Sequence, residues 1–240
     1  MQSEKMTLVL LPGLNGTAGL FDPLLAVATD EYELMVISYP THEVKSYAEL
    51  TDYVLEKISA IEGRFVVVGE SFSGPIAVFL AANHIRGLSG IILVATFIHP
   101  PYFSFFKYLP WTLIFKLAKP VYWLRIKVSN ANKANILKAA SIELQKVKPP
   151  VLAARVKAAL TVDAVSSLEK VNIPVVYFRA NYDVVVPAWN VKKILTVKPD
   201  VKVISFNTHH FLLQSAPHAA WQTISNLCRK FTKFQSESKT

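Results

Sequence analysis

Arg64-Phe65-Val66-Val67-Val68-Gly69-Glu70-Ser71-Phe72-Ser73-Gly74 is the stretch on which the reading of this chain turns. Phe65 through Val68 form an unbroken β-favouring apolar run, which predicts a strand buried on both faces, as in a parallel sheet covered by helices on each side. The run passes straight into a serine hemmed in by small residues, Gly69 two positions before it and Ser73 two positions after it. A helical pattern over 72 to 85 follows. A serine on so sharp a strand-to-helix turn stands at the carboxyl edge of the sheet, where the crowded backbone tolerates only small neighbours. Gly74 then lets the helix approach the sheet closely. Ser71 is therefore a candidate nucleophile, with capping of the helix as the plain alternative. Ser73 is read as structural.

Working outward, apolar β-rich runs at 6 to 12, 33 to 39, 64 to 70, 90 to 97, 173 to 180 and 201 to 206 alternate with helical patterns. The helical patterns fall near 19 to 29, 46 to 60, 72 to 85, 187 to 197 and 215 to 233. This alternation predicts an α/β fold, a mostly parallel sheet of about six strands flanked by helices. The segment from Ile98 to Lys170 breaks the pattern: it has no convincing strand, only helix-like pieces punctuated by Pro100, Pro101, Pro110, Pro120 and Pro149-Pro150. It reads as a helical insertion, 98–170, within a single domain of residues 1–240. Its aromatic residues Phe103, Phe105, Phe106, Tyr108, Trp111, Phe115, Tyr122 and Trp123 are expected mostly to build a small core of its own, and some of them to roof a pocket. The polar tail from Gln235 to Thr240 is expected to fray.

Composition narrows the function classes. A chain of 240 residues that is 52% hydrophobic can bury a sizeable core. The longest apolar run of its most hydrophobic region lies between Lys107 and Lys116, far short of the roughly 18 residues of a membrane span. Polar residues Met1 to Met6 lead directly into Thr7-Leu8-Val9-Leu10-Leu11 and leave no room for a secretory leader, so a cytoplasmic location is expected. The single cysteine, Cys228, excludes an internal disulfide and any multi-thiolate metal site, and reads as a small packed hydrophobe in the last helix. No cofactor, metal or nucleic-acid partner is called for. The net charge of +9 is local: residues 101 to 170 hold twelve Lys/Arg against Glu143, Asp163 and Glu169, and the rest of the chain is neutral. An anionic or carrier-bound substrate would be drawn to such a segment; a solvated basic face is the plainer reading.

Two further segments place reactive side chains at the carboxyl ends of strands, where groups converge in open α/β sheets. Val175-Val176-Tyr177-Phe178-Arg179-Ala180-Asn181-Tyr182-Asp183 is a strand and a loop presenting a carboxylate, with Val186-Pro187 opening the next helix. Thr208-His209-His210-Phe211-Leu212-Leu213-Gln214 follows the last strand. Asp183 is the expected acid, and either His209 or His210 could reach the site. Asp163 competes for the acid role from the end of the insertion, but reads better as a cap for a helix near 165 to 170. His42, His84, His99 and His218 have no matched partners, and Asp22, Asp30, Asp52 and Asp200 fall in helical patterns or turns.

With Ser, Asp and His in that order, the chain resembles the α/β-hydrolase fold serine hydrolases, a superfamily of esterases, lipases and thioesterases. The resemblance rests on Gly-Glu-Ser-Phe-Ser-Gly at 69 to 74, where the commoner pattern has glycine in place of Ser73, and on His-Phe-Leu-Leu-Gln at 210 to 214. It rests also on Leu11-Pro12-Gly13-Leu14-Asn15-Gly16-Thr17, which stands where the family places its oxyanion loop, with Pro12-Gly13 for the usual His-Gly. It implies His210 as base, since that histidine directly precedes the Phe-Leu-Leu run. It implies the backbone N–H groups of Leu14 and Phe72 as oxyanion hole, the insertion as a cap over the substrate, and a sheet lacking the family's first two strands. The implied reaction is hydrolysis of a carboxylic ester or thioester with a hydrophobic acyl part, through an acyl-enzyme on Ser71. An acyltransferase with the same residues and a non-catalytic binding protein are the alternatives. Because Ser71, Asp183 and His210 all lie outside 98–170, the insertion is expected to set specificity rather than chemistry.

Overall fold

Six of the apolar runs are strands in a computed structural model that describes residues 5–117 and 131–237, the side chains of 131–133 and 232–237 excepted. They are β1 (Met6–Leu11), β2 (Tyr32–Val36), β3 (Phe65–Glu70), β4 (Leu88–Val94), β5 (Val175–Ala180) and β6 (Lys202–Phe206). All pair in parallel, in the order β2-β1-β3-β4-β5-β6. The helices are α1 (Asp22–Leu25), α2 (Tyr47–Ile58), α3 (Gly74–Ala82), α4 (Trp111–Leu117), α5 (Ala131–Gln145), α6 (Pro149–Ala159), α7 (Val165–Glu169), α8 (Trp189–Val197), α9 (Leu212–Ser215) and α10 (Pro217–Glu237). The expected α/β class, with its parallel sheet between helical layers, is what the chain adopts. Among the described residues no helix is long and apolar enough to cross a membrane.

The period of two within each strand divides the core. Val9, Leu11, Val67, Ile91, Leu93 and Tyr177 face a layer made by α2, α3, α7 and α8. Their neighbours Leu8, Leu10, Val68, Ile92, Val94 and Phe178 face α1, α9 and α10, where Cys228 is buried as a packed residue. Every residue of β3 is buried, as a strand covered on both faces requires. α2 begins with a reciprocal cap: the Ser46 hydroxyl accepts from Glu49 N–H at 3.3 Å and the Glu49 carboxylate accepts from Ser46 N–H at 2.7 Å.

Several expected boundaries move for local reasons. The helix expected over 19 to 29 is a short 3-10 turn, Ala18–Phe21, followed by the single turn of α1. β4 runs from Leu88 to Val94 rather than over 90 to 97, because Ala95 turns the chain with φ 45°. The helix expected from 215 is interrupted at Ala216, which leaves the helical region (φ −134°, ψ 54°) directly before Pro217. α10 continues to Glu237, past the expected fraying point at Gln235, and 238–240 lie outside the described residues.

Between β4 and β5 the described residues form no strand, in keeping with the helical reading of that segment. Three of its described aromatics stay outside the expected core. Phe103, Phe105 and Tyr108 are 75%, 60% and 80% exposed, and Phe105 stacks on Phe103 and Phe106 instead of packing beneath a helix. A small cluster of Val147, Val151 and Leu152 does form, and of the described aromatics only Phe115 joins it. Pro120, Tyr122 and Trp123 lie outside the described residues.

The contact that lets α3 lie against the sheet is at Gly74, where a Cβ would fall 2.0 Å from Oγ1 of Thr96. Gly74→Ala is expected to cost about 1–3 kcal/mol by overpacking, measured by urea denaturation. An unchanged midpoint would show that this packing has slack.

Candidate active site

Ser71 is held in a left-handed backbone conformation, φ 50°, at the carboxyl end of β3. A residue with a Cβ adopts this at a cost of about 1–2 kcal/mol, so its surroundings must hold it there. A Cβ on Gly69 would come within 2.8 Å of the Ser73 carbonyl oxygen and 3.0 Å of Ala77 Cβ, so the position has to be glycine. The Thr96 hydroxyl donates to the Ser71 carbonyl. Thr96 is itself fixed by Tyr177, whose hydroxyl accepts from Thr96 N–H at 3.0 Å and donates to the Thr96 carbonyl at 2.8 Å.

Ser73, where the family more often has glycine, uses its hydroxyl. It donates to the Pro12 carbonyl and pairs with the Tyr39 hydroxyl at 2.6 Å, so the turn after β3 is tied to the loop after β1. That loop runs beside the serine: a Cβ on Gly13 would stand 3.7 Å from Ser71 Cβ. Leu14 and Phe72, the two residues expected to donate N–H groups, thus follow Gly13 and Ser71 on separate elements. Phe72 is clamped by Tyr47, which stacks on its ring at 4.7 Å and donates to its carbonyl at 2.9 Å.

The loops after β5 and β6 bring the remaining groups. They are joined by hydrogen bonds from Asn181 N–H to the Phe206 carbonyl (2.9 Å) and from Tyr182 N–H to the Thr208 carbonyl (3.0 Å). His210 Nε2 lies 2.9 Å from Ser71 Oγ and its Nδ1 lies 2.8 Å from Asp183 Oδ2. The other Asp183 oxygen accepts the N–H groups of Val185 and Val186, each at 2.8 Å, so the carboxylate cannot swing. Since a carboxylate accepts, Nδ1 carries the proton and Nε2 turns its lone pair to the serine hydroxyl. The side chains of His210 and Asp183 are only 12% and 6% exposed.

The competing candidates fall elsewhere. His209 is exposed, with Nδ1 3.1 Å from the Tyr182 carbonyl. Asp163 is exposed and accepts from Val165 N–H at 3.0 Å, one residue ahead of the N-cap Ala164, so it meets the helix start without being the cap expected.

Burial disfavours the imidazolium of His210, but the facing Asp183, by charge and hydrogen bond, and the charge of Glu70 outweigh it, so the pKa is raised. Glu70 is buried directly before the serine; desolvation pushes its carboxyl up, opposed by the Gln214 amide at 3.1 Å and by His210. Sequence reasoning passed over Glu70, Tyr39, Thr96 and Gln214, and also Arg155 and Glu143, which reach the loop after β1 from the β4–β5 segment. The one signal available was the spacing of Gly13, Gly16 and Gly19, which marks places of close approach without saying what approaches.

The profile of the alpha/beta hydrolase family matches residues 8–222, and the chain belongs to that family of hydrolases. No curated protein matches it in sequence. Among solved structures it is similar to the enol-lactonase from Burkholderia xenovorans LB400 (TM-score 0.80, 13% identity, 95% of this chain and 92% of that one). It is similar also to a thermophilic esterase from Thermogutta terrifontis (0.80, 16%, 94% and 90%). A third is the N-formylmaleamic acid deformylase from Pseudomonas putida S16 (0.72, 14%, 92% and 92%). At such identities the likeness is one of fold.

The raised pKa of His210 can be read directly. Its imidazole carbon resonances are expected to titrate with a midpoint above the ordinary value of about 6.5. Asp183→Asn should bring that midpoint down, because desolvation remains and the principal countercharge is gone. A midpoint that does not move would mean that Asp183 does not govern this histidine.

Proposed function

We propose that this chain is a serine hydrolase that cleaves a carboxylic ester or thioester with a hydrophobic acyl part. The observation that carries the reading is the continuous contact from Ser71 Oγ through the His210 ring to Asp183, at 2.9 and 2.8 Å. His210 takes the Ser71 proton as Oγ attacks the carbonyl carbon, and Asp183 holds the tautomer and stabilises the imidazolium. The tetrahedral oxyanion is received by the N–H groups of Leu14 and Phe72. His210 then protonates the leaving alcohol or thiol, and water, activated by the same ring, releases the acid from the acyl-enzyme.

Residues 98–170 act as the cap. The preference for a hydrophobic acyl group is supported by exposed apolar side chains in the segment and in the chain after Asp183, among them Phe103, Phe105, Val184 and Trp189. Tyr102 joins the two, through its hydroxyl to the Val184 carbonyl and its ring 6.1 Å from that of Trp189. The exposed Lys116, Lys138, Lys148 and Lys157 of the same segment favour an anionic or carrier-bound form of the substrate.

A fluorophosphonate probe is expected to label Ser71. Ser71→Ala and His210→Ala should each lower turnover by roughly 10⁴- to 10⁶-fold and Asp183→Asn by somewhat less, while His209→Ala keeps most activity. Persistent labelling of Ser71→Ala, or a dead His209→Ala beside an active His210→Ala, overturns the assignment. A panel of aryl esters and acyl thioesters of rising chain length then reads bond type and pocket depth.

The charge reading has its own test in a matched pair of acyl substrates, one anionic and one neutral. The anionic one should gain in kcat/KM at low ionic strength and lose that advantage as salt screens the field. Equal salt dependence for both would reduce the basic segment to a solvated face.

A further inference from the structure

The loop after β1 and the 3-10 turn that follows it carry glycines at 13, 16 and 19, and each leaves room for a different neighbour. Gly13 faces Ser71. A Cβ on Gly16 would fall 2.3 Å from Nη1 of Arg155, and one on Gly19 would fall 2.3 Å from Oε1 of Glu143. Both charged residues come from the β4–β5 segment, Arg155 from α6 and Glu143 from α5, and they are 2% and 6% exposed.

The bonds of Arg155 fall on the backbone. Nη1 donates to the carbonyls of Leu14 (3.0 Å) and Asn15 (2.7 Å), and Nη2 donates to the carbonyl of Pro40 (2.9 Å). The guanidinium lies over the Tyr39 ring, 5.7 Å from its centroid. Glu143 accepts from the Thr17 hydroxyl at 2.5 Å, and that hydroxyl accepts from the Asn15 amide at 2.7 Å. Lys146 completes the group at 2.5 Å from Glu143. Burying a cation is expensive, and an apolar side chain of the same size fills such a space at less cost. Burial lowers the pKa of Arg155 to about 10, which still leaves it charged at neutral pH.

What the cation holds is one turn. Gly16 N–H donates to the Gly13 carbonyl at 2.9 Å, closing a turn with Leu14 and Asn15 at its centre and Gly16 in the left-handed region at φ 68°. The Gly13 carbonyl and the Leu14 N–H belong to the same peptide unit, and in a trans peptide they point in opposite directions. A carbonyl held inside the turn therefore turns the Leu14 N–H outward. Arg155 binds the carbonyls of both central residues, so the turn cannot flip. On the other side, the bond from Ser73 to Pro12 anchors the peptide before Gly13.

We infer that Arg155, assisted by Glu143, is a positioning residue for the oxyanion hole: from the β4–β5 segment it locks the Gly13–Gly16 turn so that the Leu14 N–H is presented toward Ser71. The inference rests on the hydrolase reading above. It also revises the expectation that the insertion can be removed without touching the chemistry, because the loop would lose the two side chains seated against Gly16 and Gly19.

Arg155→Met keeps the volume and removes every donor. Its kcat on a small acetate ester is expected to fall about 10²- to 10³-fold, as for loss of an oxyanion donor, with KM changed by less than about threefold. Affinity for a trifluoromethyl ketone, which forms the tetrahedral adduct, should fall in parallel with kcat. The acid limb of the kcat/KM profile should stay in place, since His210 and Asp183 are untouched. Arg155→Lys, which keeps a cation but not the fork, should lie between. A folded Arg155→Met with kcat within about threefold of wild type overturns the inference, as does a loss carried by KM or accompanied by a shifted acid limb. If Arg155→Met fails to fold, Arg155→Lys and Glu143→Gln carry the test: parallel losses in kcat and inhibitor affinity support it, and wild-type values in both overturn it. Ser71→Ala, assayed alongside, separates the two claims. Hydrolysis that survives it sinks the hydrolase reading and the positioning role together, whereas a dead Ser71→Ala beside an unimpaired Arg155→Met sinks the positioning role alone.

Discussion

A serine forced into the left-handed region at the end of a central strand is the constraint on which the rest of this structure depends. The conformation is uphill by about 1–2 kcal/mol for any residue with a side chain, yet it alone stands the hydroxyl clear of β3. The neighbourhood is organised to hold it. Gly69 yields the space, Gly74 brings α3 within reach of Thr96, and Thr96, fixed by Tyr177, holds the Ser71 carbonyl. β3 lies between β1 and β4 with every residue buried, so the strand beneath the turn has nowhere to relax. The strain is local and the restraint is distributed.

The charges around the serine follow a similar logic. Asp183 and Glu70 both bear on His210, one by direct contact and the other from the buried position before the nucleophile. Burial pushes the Glu70 carboxyl toward its neutral form, and the Gln214 amide pulls it back. Among the described residues the buried charges outside this group, Glu143 and Arg155, are likewise met by hydrogen-bond partners. Unpaired, each would cost several kcal/mol.

What was legible in the sequence was whatever depends on near neighbours in the chain. The run Phe65–Val68 and the glycines at 69 and 74 announce a strand and a close turn by themselves. That the loops of Asp183 and of the His209-His210 pair would meet was legible because the ends of neighbouring strands in a parallel sheet share one edge, and only the family resemblance singled out His210. Three-residue resolution failed where a single backbone angle decides: Ala95 ends β4 early, and Ala216, preceding a proline, divides the last helix. Arg155, Glu143 and Tyr39 could not be read at all. Their partners lie up to 141 positions away, and an arginine on a helix of an insertion carries no mark distinguishing it from the exposed lysines around it. The aromatics of that segment misled for the opposite reason. Phe103, Phe105 and Tyr108 look like core, yet they stand exposed at and within the short 3-10 stretch Ser104–Tyr108.

The hollows at Gly16 and Gly19 bear on how such a chain can be inherited. Each hollow is filled by one charged side chain from a segment more than a hundred positions downstream. A β-carbon at either glycine collides with that side chain, and a shorter residue in place of Arg155 or Glu143 leaves a gap with unmet carbonyls or an unmet hydroxyl. The two ends of each contact are therefore coupled: a change at one displaces the guanidinium or carboxylate at the other from its partners. A descendant, or a chimera, that acquires a different set of helices between β4 and β5 loses these two side chains from its first loop. The heritable unit here is the loop together with its distant clasp.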